Sequence, residues 1–262
     1  MNVRQLAVIK KDIRSVTLNK QVFAVLLIVP LALVIVLPSI FVLVTAFAPD
    51  AASDFQKILD MLPADNGARS QQQRIFGLIL NNIMPVFFLM IPIMASSVMA
   101  ASSFVGEKEK HTLETLLYSP LSLKQMFQAK ILAGFSVGMM VSYISFAAMM
   151  LVLELEVFLL TGEAILPSSS WLAIMLLIAP AISLIAIAVT VRSSAKAQTI
   201  EEAQQRAVFL VFPILALLIG QFTGILLISA GLLWGVGAVL AALDLLLMRG
   251  AAGSFTYEKL LR

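Results

Sequence analysis

QVFAVLLIVPLALVIVLPSIFVLVTAFAP, residues 21–49, contains no ionisable side chain. About 20 apolar residues suffice to cross the ~30 Å hydrocarbon core of a bilayer, so this run reads as a transmembrane helix. Basic residues before it and Ala46-Phe47-Ala48 near its end imitate a secretory signal peptide. A signal peptide's apolar region is only about 7 to 15 residues long, so the helix is read as retained. Ahead of it, Val3, Leu6, Ile13 and Val16 fall near one helical face with Arg4, Lys10, Lys11 and Arg14 around them. That pattern predicts an amphipathic interface helix over residues 1–20.

Outward from that run, the chain repeats the theme. Residues 75–106, 131–153 and 164–191 are also free of charge, and 207–243 is free of charge for longer than one span needs. A single helix over that last stretch would measure about 55 Å, nearly twice the ~30 Å core, so it is read as two spans joined by a tight turn. Gln221, Thr223, Gly224, Ser229 and Gly231 bracket the turn. The expected fold is an all-α membrane protein in one domain, 1–262, with six spans near 21–47, 82–105, 131–153, 171–191, 207–227 and 230–248. Residues 48–75 form an extracytoplasmic loop, in which Phe55, Ile58, Leu59 and Leu62 suggest a short helix closed by Pro63.

Composition supports this and excludes much else. Of 262 residues, 60% are hydrophobic and 13% charged, with a mean hydropathy of +0.99. A soluble globule of that balance has too little polar surface to cover itself. The absence of cysteine excludes disulfides and thiolate sites, and a single histidine excludes a multi-histidine metal centre. A net charge of +3 gives nucleic-acid binding no support.

Fifteen of the eighteen lysines and arginines lie before the first span, in 106–130, in 192–206 or in the tail. The opposite side has Lys57, Arg69 and Arg74 beside several acids. Basic residues are retained on the cytoplasmic side, which predicts a multi-pass protein of the plasma (inner) membrane with both termini cytoplasmic. No internal repeat is apparent.

The connection after the second run reads Gly106-Glu107-Lys108-Glu109-Lys110-His111-Thr112-Leu113-Glu114-Thr115-Leu116-Leu117-Tyr118-Ser119-Pro120. Leu113, Leu116 and Leu117 make an apolar stripe on a short helix that Pro120 ends. Ser122 and Gln125 then form a capping box for the next helix. Alternating charges with a leucine face suit a protein partner better than anionic lipid, because Glu107, Glu109 and Glu114 offset the lysines.

Gly106 to Glu109, Thr112 to Leu117 and Ser119 to Ser122 together resemble the signature of ABC-2 type permeases, the membrane subunits of one class of ATP-binding-cassette transporters. His111 stands where that family has a glycine. Ser194-Ala195-Lys196, Glu202-Ala203-Gln204, Pro213 and the ending Phe255 to Leu261 are similar to the sodium-extrusion-type subgroup. The resemblance implies an elbow helix at the N-terminus and a coupling helix at Thr112 to Tyr118 that docks on a cytoplasmic ATPase subunit. It implies ATPase contacts through Glu107, Glu109, Thr112, Leu113, Glu114, Leu116, Leu117, Ser119 and Pro120. A second permease copy or a homologous permease would complete the membrane unit. No Gly-x-x-x-x-Gly-Lys-Ser/Thr loop occurs in the chain, so ATP and Mg belong on the partner and this chain binds no cofactor. The implied activity is efflux of a small ion, a drug or a peptide, with sodium among them.

Other motifs weigh less. Gly134-Phe135-Ser136-Val137-Gly138 matches a nucleophile pattern, but it lies inside a span with no histidine near it. Gly134 with Gly138, Gly220 with Gly224, and Gly231 with Gly235 read instead as helix-packing contacts. Ser96 and Ser103 on the second span, Ser142 and Tyr143 on the third, and Asp244 are the candidate pathway residues. Serines in membrane helices also bond their own backbone. The rival function, a secondary carrier driven by an ion gradient, predicts paired intramembrane charges and repeat symmetry. An intramembrane hydrolase would need a base or metal at membrane depth.

Overall fold

A computed structural model describes residues 3–47, 70–109, 121–194, 197, 199–222, 231, 233–242 and 244. Among these residues the chain is helical, without strands. Helix α1 spans Val3–Leu18 and α2 spans Lys20–Phe47. A second rod is built from α3 (Gln71–Leu78), a π-helical turn (Ile79–Ile83), α4 (Met84–Phe88) and α5 (Met90–Glu109). Helix α6 covers Leu123–Thr161, and a further rod comprises α7 (Ser170–Ala173), a second π-helical turn (Ile174–Ile178) and α8 (Ala179–Ser194). Three short helices follow: α9 (Ile200–Val208), α10 (Val211–Phe222) and α11 (Leu233–Ala242).

Four helices among the described residues are long and apolar enough to cross a membrane, not the six expected. They are Val22–Phe47, Gln71–Glu107, Lys124–Thr161 and Ser170–Ser194. The excess came from counting charge-free length as helix length. Helix α9 ends at Val208 and a turn at Phe209 and Leu210 breaks the run, so α10 begins afresh at Val211. The 12 described residues of α10 rise about 18 Å and the described part of α11 is shorter still, so among the described residues neither reaches across the ~30 Å core. Freedom from charge says that a segment tolerates lipid; it does not say that its backbone stays helical.

The other three spanning helices pack around the second rod, which is buried over most of its length. Helix α5 lies against α6 and α8, α2 lies along α6, and α1 and α9 close the end of the bundle near Glu107. Leu26, Pro30, Val34, Pro38 and Val42 recur every fourth residue along α2, and all are buried. That i±4 row is a packing ridge. Ile28, Val36 and Ile40 on the other side of α2 are exposed, as a bilayer-facing surface requires.

Helix α1 turns a different face inward than its apolar pattern suggested. Ile13 and Val16 pack against the bundle, but Val3 and Leu6 are exposed while Gln5 and Asp12 are buried. At the start of α6 the capping box forms: Gln125 N donates to Ser122 Oγ at 3.3 Å, and Ser122 N donates to Gln125 Oε1 at 3.2 Å. Ser70 and Gln73 cap α3 in the same way.

Candidate functional site

Residues from three helices meet where α1 crosses the end of the bundle. Ser103 and Glu107 are one turn apart on α5 and so share a face. Lys130 projects from the third turn of α6, and Asp12 from the buried side of α1. Lys130 Nζ lies 2.8 Å from Glu107 Oε2, donates to Ser103 Oγ at 3.2 Å, and also donates to the Ser103 carbonyl. Its three N–H donors therefore have three acceptors. Ser103 Oγ donates to Asp12 Oδ2 at 2.5 Å, and Lys11 Nζ reaches Glu107 Oε1 at 2.6 Å. Lys130 Nζ also stands 5.2 Å from the centre of the Phe104 ring, which adds a cation–π contact.

Among the described residues, two carboxylates face two ammonium groups, so their charges balance. Neutrality matters because Asp12 and Lys130 are each only 3% exposed. A buried charge is tolerated only when paired and hydrogen-bonded. Lys11 is half exposed and closes the outer side. The cluster thus ties α1, the last turn of α5 and the beginning of α6 into one unit. Glu107 is also two residues from Glu109, where the described part of that connection ends.

Of the residues expected to contact an ATPase, the structure places Glu107 in this cluster and leaves Glu109 exposed at the end of α5. Thr112, Leu113, Glu114, Leu116, Leu117, Ser119 and Pro120 lie outside the described residues, as does the 55–63 segment. Sequence reasoning missed Asp12, Lys130 and Lys11, having used the lysines only as topology markers. A signal was present: Asp12 is the only acid in the first twenty residues, set in a basic segment.

The candidate pathway residues do not converge. Ser103 belongs to the charge cluster. Ser96 hydrogen-bonds Ser183 of α8, and both side chains are buried. Ser142 donates to the carbonyl of Gly138 in its own helix at 2.8 Å. Tyr143 faces outward from α6, 46% exposed, and Asp244 is buried with Oδ2 unpartnered among the described residues. Gly138 is where α6 meets this seam: a Cβ there would collide with Ser96 Oγ and stand 3.0 Å from Ser183 Oγ. At Gly134 a Cβ would meet Ile187 Cδ1 at 3.3 Å. Gly231 and Gly235, also expected at a helix contact, have nothing within 4 Å of a Cβ among the described residues, whereas Gly237 packs on Leu177.

Nearer the other end, the second and fourth spans share a backbone device. Met84 N–H bonds the Ile79 carbonyl and Ala179 N–H bonds the Ile174 carbonyl, each five residues back. In both spans the next residue is proline, Pro85 or Pro180, which cannot donate the following bond. At the first of these turns, Trp171 Nε1 donates to the Leu80 carbonyl at 3.2 Å and so replaces the missing donor. The Trp171 ring sits 5.4 Å from Phe88 and 5.0 Å from Phe146, centre to centre. Beside these turns is a cavity of about 300 Å³ between the second span, the fourth span, α10 and α11. No group of three or more metal-ligating side chains occurs among the described residues.

The sequence model described as "ABC-2 family transporter protein" matches residues 6–247, nearly the whole chain. Among curated proteins there is no match.

Proposed function

We propose, from the premise that this chain belongs to the ABC-2 family of transporter proteins, that it is the membrane-spanning permease subunit of an ATP-driven exporter. Family membership makes it a multi-pass membrane permease and not an enzyme, and sets it beside an ATPase partner. The finer reading is as follows. ATP closes a pair of cytoplasmic ATPase subunits, the connection around 110–120 moves with them, and the spans of this chain and a second permease switch access. A ligand drives such a change only by binding two states differently, and the connection is where that difference enters.

The observation that supports this reading is the buried cluster at the root of the connection. A pull on the connection reaches Glu107 first, and through Lys130 and Asp12 it reaches α6 and α1 together. The basic segments around α1, 106–130 and 192–206 fall on one side of four crossings. We assign that side to the cytoplasm of the plasma membrane. On this reading both termini lie there.

Leu116→Asp tests the coupling: ATPase co-purification should fall while membrane insertion survives, and unchanged co-purification removes the idea. Efflux from vesicles containing the assembly, with sodium, a cationic drug or a short peptide as cargo, tests the export reading. Cargo movement by this chain without ATPase or ATP would instead establish the carrier reading.

A further inference from the structure

We infer that the cavity between the second and fourth spans is a binding site for one hydrocarbon chain of a bilayer phospholipid. Among the described residues every lining side chain is proline, valine, leucine or isoleucine, so these walls offer no side-chain partner to water, an ion or a head group. Its volume of about 300 Å³ is about twice that of an apolar cavity that stays dry and takes up benzene. An apolar void left empty destabilises a protein in proportion to its size, so an apolar occupant is favoured.

The walls are poorly suited to collapse. Pro85 and Pro213 are ring-constrained, and the branched isoleucines of the fourth span, Ile174, Ile178, Ile182 and Ile185, are stiff at χ1. Two π-helical turns stand at the same level, Ile79–Ile83 just before Pro85 and Ile174–Ile178 within the wall itself. Such turns hold a helix off its regular register and occur often at functional sites. The occupant follows from the setting: the chain is a membrane protein, and acyl chains are the hydrocarbon that surrounds it.

The test uses the full chain in phosphatidylcholine vesicles doped with a phosphatidylcholine whose acyl chain carries a terminal diazirine. After irradiation, labelled peptides are mapped by mass spectrometry. Label should reach Ile182 and the buried Ile214 at a level comparable to that on Ile28, Val36 and Ile40, the bilayer-facing side of α2, and exceed by several-fold that on the buried Val34 and Val42 of the same helix. Val236→Trp fills the cavity from a partly exposed position. It should cut label on Ile182 and Ile214 several-fold and leave the α2 pattern intact, which doubles as a check on folding. Leu240→Trp provides a second plug. Cavity label no higher than on the buried Val34 and Val42, or cavity label that survives both plugs with the α2 pattern unchanged, overturns the assignment. The vesicles hold no other hydrocarbon, so positive label identifies lipid as the source. ATPase binding plays no part in the measurement, and the two proposals fail separately.

Discussion

At its Glu107 end the second membrane rod is fixed by charges, and at the level of Pro85 it is fixed by carbon and aromatic rings. The charged end joins three elements through directional bonds centred on Lys130. The Pro85 level has a proline, a π-helical turn, a borrowed indole donor and a cavity. Ion pairs transmit displacement, because moving one partner drags or strands the other. Aliphatic walls slide at smaller cost. On the coupling proposed above, force enters at the charged end of the rod and the Pro85 level adapts.

The largest effect is expected from Lys130→Ala, which takes the buried ammonium away from Asp12 and Glu107. Breaking a buried pair from one side costs about 3–5 kcal/mol, readable as lowered stability in an unfolding titration in mixed micelles. A loss near that of an ordinary surface change would break the comparison at its charged end. Gly138→Ala is next: overpacking against Ser96 should cost about 1–3 kcal/mol. Ser96→Ala removes the oxygen in the way, so the double variant should lose less than the two single losses added. Strict additivity would show that the seam is not as close as the structure has it.

Trp171→Phe keeps a ring but removes the donor to the Leu80 carbonyl, with an expected cost of about 1–2 kcal/mol. Amide exchange around 79–84 should rise with it, and unchanged exchange would deny the indole its role in the π-helical turn. Lys11→Ala should do least. Its half-exposed pair with Glu107 is worth about 0–1 kcal/mol, and the effect should shrink further in high salt. A loss equal to that of Lys130→Ala would show that the outer lysine shares the burial of the inner one.

Much of this architecture is legible in the residues themselves. Charge-free runs mark where lipid is tolerated, and Ser122 with Gln125 marks the start of α6 in advance. The overcount of spans arose where backbone geometry decides: Pro213 cannot donate to the Phe209 carbonyl, yet Pro30 and Pro38 lie inside an unbroken α2, so proline alone does not say which helix breaks. The charge cluster was hidden for a related reason. Asp12, Glu107 and Lys130 are far apart in sequence, and only the crossing of α1 over α5 and α6 brings them together. Serines suffer the opposite ambiguity: Ser96 bonds across to α8 while Ser142 bonds its own helix, and their sequence surroundings do not distinguish the two.

Helix α6 differs from the second and fourth spans in having neither a proline nor a π-helical turn along its 39 residues. At about 1.5 Å per residue it is a rod of roughly 58 Å, and a tilt of about 5° pivoted at one end sweeps the other through about 5 Å. Lys130 sits close to the capped beginning of that rod, so a rearrangement of a few tenths of an ångström in the cluster re-emerges magnified near Gly162. The protein thereby has a lever with a short arm on one side of the membrane and a long arm on the other.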